Sequence, residues 1–128
     1  MAAVVVEAAV AAASSASAEA CPRLDGLPGR DLTGGLRVAE ANSRAARMKG
    51  LAKLDVQPEY LALHLPRCRS VHTFTMRFPL DLIWLGKDGR PVRVDRAVPP
   101  NRMKQCLRAR SVVEANAGTA DAFLAAGL

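Results

Sequence analysis

Three signals within one stretch confine what this chain can fold into. From Val71 to Phe78 the residues alternate in character, and Pro79 interrupts the pattern. Leu80 to Leu85 is then apolar apart from Asp81, and Asp88-Gly89 separates that run from a second alternation at Val92 and Val94. A period of two marks a strand with one buried face, whereas a short unbroken apolar run marks a strand covered on both faces. Proline cannot donate to a ladder, so Pro79 makes a corner between two strands. Asp-Gly tolerates the positive φ that a type I′ turn needs, so the runs on either side of it form a hairpin.

The flanking sequence extends the same pattern. Leu36-Arg37-Val38-Ala39 reads as a first strand, with Leu36 and Val38 on one face. Asn42 or Ser43 offers the cap of a helix over residues 43–52, and Gly50 suits its close packing or its end. Tyr60 to Leu65 alternates again and stops at Pro66. Val98-Pro99-Pro100-Asn101 breaks the sheet, residues 102–110 read as a basic loop, and Ser111 to Ala115 is a last strand. Thr119 offers a cap for a short helix from Ala120 to Ala126. Residues 22–35, rich in Pro and Gly, read as a lead-in loop whose Leu24, Leu27 and Leu32 pack an arm onto the domain. Several short strands with turn signals and few helices imply a mainly β fold. The expected form is a compact antiparallel β-sandwich or jelly-roll-like barrel with one or two short helices, one of them packed on it.

A chain of 128 residues is the size of one domain. Residues 1–21, almost all Ala, Val and Ser, read as an extension, disordered or loosely helical, with a single β-rich domain over 22–128. Ala16-Ser17-Ala18 imitates a signal-peptidase site, but no Lys or Arg precedes it and Glu7 interrupts the apolar run. A cytoplasmic protein is therefore expected, with export through a weak N-terminal signal as the alternative. No stretch approaches the roughly 20 apolar residues of a membrane span. The three cysteines, Cys21, Cys68 and Cys106, form no CxxC pair, which suits a reducing compartment and leaves a Cys68–Cys106 bridge as the exported or thermophilic variant.

The order and spacing of several short motifs resemble the uncharacterised prokaryotic family called domain of unknown function 192. They are Arg47-Met48-Lys49-Gly50-Leu51, Met76 followed by Pro79-Leu80-Asp81, Asp88-Gly89-Arg90, Pro99-Pro100, and Glu114-Ala115-Asn116-Ala117-Gly118-Thr119. The resemblance covers residues 36–124. It departs from many relatives at Thr75-Met76-Arg77-Phe78, where they read Trp-Met-Lys-Asn-Thr, and at Ala115, where many have Leu. It implies a compact β-sandwich or jelly-roll-like barrel with one packed helix, and no established activity, substrate or cofactor.

Charge directs attention to one region. Residues 60–110 carry eleven Lys or Arg against Asp81, Asp88 and Asp95, whereas residues 1–59 are balanced. Such a field favours anionic partners, although a solvated basic face is the plainer reading. Arg67, Arg69, Arg102, Lys104, Arg108 and Arg110 flank two loops that a sandwich would bring to one end as an anion cradle. Cys68 and His72 lie four apart, a spacing that on a continuous strand puts both on one face. With Cys106 or His64 they would suit a zinc site, or Cys68 a nucleophile activated by His72; a core or rim role for these residues is the plainer reading. Asp81, at the start of a buried strand, must be paired or hydrogen-bonded, with a structural anchor set against a ligand acceptor or general base. Phe74, Phe78 and Trp84 are expected in the core, which removes the exposed aromatics that nucleic-acid binding wants. No cofactor motif and no sign of an oligomeric state is present.

The sequence therefore points to a non-catalytic binding or accessory module for a small or anionic ligand. The contact residues would be Arg69, His72, Met76, Arg77, Asp81, Arg102, Lys104 and Arg108. An enzyme or metal site using Cys68 and His72, or weak nucleic-acid binding through residues 67–110, stands as the alternative.

Overall fold

The structure, a computed structural model, describes residues 26–41, 57–74 and 76–128. Within them the chain runs β1 (Gly29–Asp31), a 3-10 turn (Thr33–Gly35), β2 (Arg37–Glu40), β3 (Leu61–Leu65) and β4 (Ser70–His72). It continues through β5 (Leu80–Leu85), β6 (Pro91–Val98), β7 (Met103–Gln105), β8 (Ser111–Asn116) and helix α1 (Ala120–Ala125). Six strands form one sheet in the order β1-β2-β3-β8-β5-β6, and β4 and β7 form a two-stranded ribbon. The fold is mainly β with a helix, and the large sheet keeps two edges, β1 and β6, so it is not a closed barrel. Every pair is antiparallel except β2 with β3. The helix expected over 43–52 and the Ala-rich extension lie outside the described residues.

The sheet is covered on both sides, and this explains the apolar run in β5. Leu61, Leu63 and Leu65 of β3, Leu80, Leu82 and Trp84 of β5 and Val112 of β8 face one way. They pack there with Val71 of the ribbon and with Met76 and Cys106. Val38, Ala62, Ile83, Leu85, Val113 and Ala115 face the other way and meet Ala120 and Phe123 of α1. All six residues of β5 are buried, as a strand sandwiched between ribbon and helix requires. Leu27 and Leu32 pack against the two core clusters, as expected of the lead-in arm.

Three local expectations need correction. The strand expected over Val71–Phe78 ends at His72, because Thr73 turns the chain: its carbonyl accepts the N–H groups of Met76 (3.2 Å) and Asn101 (3.0 Å). The Asp88-Gly89 reversal is not type I′, since Gly89 has φ 79° but Asp88 is not among the positive-φ residues. Instead Gly89 N–H bonds the Gly86 carbonyl at 3.0 Å and Gly86 N–H bonds that of Arg90 at 2.8 Å. A turn followed by a left-handed glycine is the next commonest hairpin solution. The lead-in loop and the basic loop each contain a short strand, β1 and β7. A Cβ on Gly29 would lie 2.3 Å from the Val38 carbonyl oxygen, so β1 reaches β2 only with glycine there.

Asp81 ties these parts together. It is 1% exposed at the head of β5. Its Oδ1 accepts the Ala97 N–H at 2.8 Å, and its Oδ2 accepts the N–H groups of Gly118 (2.9 Å) and Ala120 (3.0 Å). Ala97 and Gly118 both have positive φ, 49° and 89°. One carboxylate therefore holds a kink in β6, the turn after β8 and the first N–H of α1, where helical amides lack intrahelical acceptors. Thr119 does not cap this helix with its side chain; its hydroxyl donates to the Asn116 carbonyl at 2.6 Å. Replacing Asp81 by Ala orphans three backbone donors around a buried site, and we expect a loss of about 3 kcal/mol or more in urea denaturation. A loss below about 1 kcal/mol would contradict the anchoring role.

Candidate functional site: a basic groove along β6

The ribbon brings residues 70–72 beside residues 103–105, with Ser70 opposite Gln105, Val71 opposite Lys104 and His72 opposite Met103. Paired residues share a face. Buried Val71 places Lys104 on the inner side, and exposed His72 places Met103 on the outer side. Thr73 locks the ribbon to the following loop. Its hydroxyl donates to the Pro99 carbonyl (2.7 Å) and accepts the Arg102 N–H (2.9 Å), while its own N–H bonds the Arg102 carbonyl (2.8 Å). Thr73 is itself 1% exposed, so the loop that carries Arg102 is pinned from within.

Beside this loop a groove of about 370 Å³ runs along β6, lined by Val94–Pro99 together with Arg102 and Lys104. Two of the three described non-glycine residues with positive φ, Ala97 (49°) and Asn101 (63°), lie in or next to it. Backbone held in sparsely populated regions gathers where a site needs it, provided the surroundings over-determine it. Here the Asp81 carboxylate and the Thr73 carbonyl do so by accepting the Ala97 and Asn101 N–H groups. The charges are unequal in availability. Arg96 pairs with Asp121 at 2.9 Å, a hydrogen bond that raises its pKa further. Asp95 is occupied by the indole N–H of Trp84 and by Arg93, each at 2.9 Å. Lys104 makes no hydrogen bond or ion pair among the described residues. Among the described residues the guanidinium of Arg102 reaches only the carbonyl of Asn101, at 3.2 Å.

The residues singled out from the sequence divide among several places. Arg102 and Lys104 line this groove, whereas Arg67 and Arg110 line another that shares no residue with it. Arg69 and Arg108 are spent on carbonyls, those of Ala109 (2.9 Å) and Val92 (3.3 Å). Met76 is buried in the core, and Arg77 is exposed just beyond the Thr73 turn. No disulfide joins Cys68 to Cys106; Cys68 donates to the Ser70 carbonyl at 3.1 Å and Cys106 is buried. His72 is exposed, and its ring stacks on Phe74 with centroids 5.1 Å apart. Among the described residues no group of three or more His, Cys, Asp or Glu is placed to hold a metal. Phe78 is partly buried and Trp84 fully so, but Phe74, expected in the core, is 52% exposed because it sits at the tip of the Thr73 turn.

Two polar groups take up positions that the sequence did not indicate. His64, on β3, lies with Nδ1 2.6 Å from Glu40 Oε2 on β2. Glu114, on β8, is 6% exposed. In register it stands between Leu63 and Leu82, and its carboxylate has no hydrogen bond among the described residues. A charged residue inside the apolar run Val112-Val113-Glu114-Ala115 was the available signal. Burial pushes its carboxyl from the ordinary 4.5 up to about 7. The native state therefore holds a proton that the unfolded chain releases near pH 4.5. Stability is highest below that pH, falls as pH rises towards 7, and is flat above, a loss of about 3 kcal/mol across the window from this group. Glu114→Gln should remove that slope and stabilise the protein at pH 8. Urea melts of both proteins at pH 5 and pH 8 check this, and parallel pH dependences would refute it.

The comparisons with known proteins agree with this architecture. A crystal structure from Sinorhizobium meliloti 1021, described as a "putative transcription regulator", superimposes with a TM-score of 0.60 at 21% identity, over 69% of this chain and 74% of that one. A protein of unknown function from Novosphingobium aromaticivorans DSM 12444 superimposes with a TM-score of 0.59 at 17% identity, over 77% of this chain and 88% of the other. At such identities the likeness establishes the fold alone. The comparison with curated proteins matches none of them. The family model for DUF192, Uncharacterized ACR, matches residues 29–126, and the chain belongs to that family.

Proposed function

We propose that the protein is a non-catalytic binding module for a small anion, seated in the groove along β6. The observation that carries this reading is the pairing of uncommitted charge with fixed backbone. Lys104 and Arg102 face the groove without a carboxylate partner among the described residues. The loop beneath them is pinned by Thr73 and Asp81. A site whose supporting shell is rigid loses little freedom on binding, so modest charge yields useful affinity. Asp81 acts here as a positioning residue, since its oxygens already accept three N–H groups. Inorganic phosphate at low salt should shift the amide resonances of Ala97, Arg102 and Lys104, with binding that weakens as salt is added. The double variant Arg102→Ala/Lys104→Ala should weaken it about tenfold or more. Unchanged affinity in that variant would reject the reading.

A second reading rests on the ring pair. His72 and Phe74 stack on the outer side of the ribbon beside exposed Met103. An exposed aromatic next to cations is the platform on which single-stranded nucleic acid stacks. If that is its use, oligo(dT) binds with a steep salt dependence and Phe74→Ala weakens it about tenfold. Retention unaffected by Phe74→Ala would exclude it.

A further inference from the structure

We infer a second oxyanion site on the helix-bearing face of the sheet. A groove of about 380 Å³ opens there beside the end of α1, with the buried strand residues Leu85 and Val113 in its floor. Four cations from four separate segments converge on it. They are Arg30 of β1, Arg67 after β3, Lys87 of the β5–β6 turn and Arg110 just before β8. The side chains of Arg30, Lys87 and Arg110 make no ion pair or hydrogen bond among the described residues. Arg67 is held at φ 52°, the third positive-φ non-glycine residue of the described chain. Among the described residues Glu40 contributes the single side-chain carboxylate of the lining, and it lies 2.6 Å from His64 Nδ1.

Like charges gathered within a Debye length repel one another, and the repulsion is relieved only by counter-ions or by a ligand of opposite charge. Here the cations ring a concavity of the size that holds a small molecule rather than a polymer. Arginine forks match the oxygens of phosphate and carboxylate geometrically. His64 Nε2, in the wall, is buried without a hydrogen-bond partner among the described residues, an unmet polar group of the kind that a ligand or its water satisfies. The ligand class is therefore a small multivalent oxyanion, an organic phosphate or a polycarboxylate. This site differs in residues and charge count from the groove along β6, and neither depends on the other.

The test is a titration of the full chain with inorganic pyrophosphate at low salt, read by amide resonances. The site predicts saturable shifts at Lys87, Gly89, Arg110 and Ser111 that persist in Arg102→Ala/Lys104→Ala. It also predicts that Arg30→Glu/Lys87→Glu, both on exposed side chains, weakens pyrophosphate at these resonances by about tenfold or more. A thermal melt of that variant shows whether it remains folded, and Arg110→Gln supplies an independent reduction in charge. Shifts confined to residues 94–104 would overturn this site while supporting the other. Shifts at the second set that neither charge variant weakens would overturn it, as would the absence of any saturable shift.

Discussion

A single buried carboxylate holds the architecture in register. Asp81 accepts three backbone N–H groups from three places that are far apart in sequence, the β6 kink at Ala97, the turn at Gly118 and the start of α1 at Ala120. Ala97 has positive φ, a conformation in which a non-glycine backbone would not rest unaided. A charged acceptor makes stronger hydrogen bonds than a neutral one, and a buried site raises the cost of leaving a donor unmet. The helix, the edge strand and the central strand are thereby set relative to one another by one side chain. A purely apolar contact at that point would resist separation without choosing an orientation.

Around that anchor the burial is two-sided. The ribbon covers one face of the sheet and α1 covers the other, with β3 and β8 in the middle and β5 beside them. Their cores leave little room for polar groups. Those that remain are arranged for specificity or held under tension. Trp84 places its N–H on Asp95 while Arg93 lies over its ring, 5.5 Å from the centroid. Glu114 has no such partner and stays protonated to higher pH than an exposed carboxyl would.

The basic character of the middle of the chain acquires a geometry that net charge alone does not contain. Some cations are consumed locally, by Asp121, Asp95 or main-chain carbonyls, and contribute to packing. Others collect in two concavities on different parts of the molecule. Membership of an uncharacterised family and likeness to distant structures fix the fold and leave the ligand to these local details.

Sequence alone determined what depends on neighbours along the chain. The apolar run Leu80–Leu85, the alternation Tyr60–Leu65, the reversal at Gly89 and the final strand were legible because periodicity and turn chemistry are local. The burial demanded of Asp81 was legible too, since a carboxylate within such a run needs donors. Which donors it found was not, because Ala97 and Ala120 are brought to it only by folding. Short strands escaped notice for the same reason: Gly29–Asp31 and Met103–Gln105 carry no pattern of their own and exist through partners elsewhere. Phe74 was misread as core because alternation continues past the point where Thr73, bonded to residues 99–102, turns the chain outward. The tertiary structure decided which cations meet, since Arg67 and Arg69 are two residues apart in sequence yet one lines a groove and the other binds the Ala109 carbonyl. Side-chain type sets what a residue can bind, and only the folded chain sets what stands within its reach.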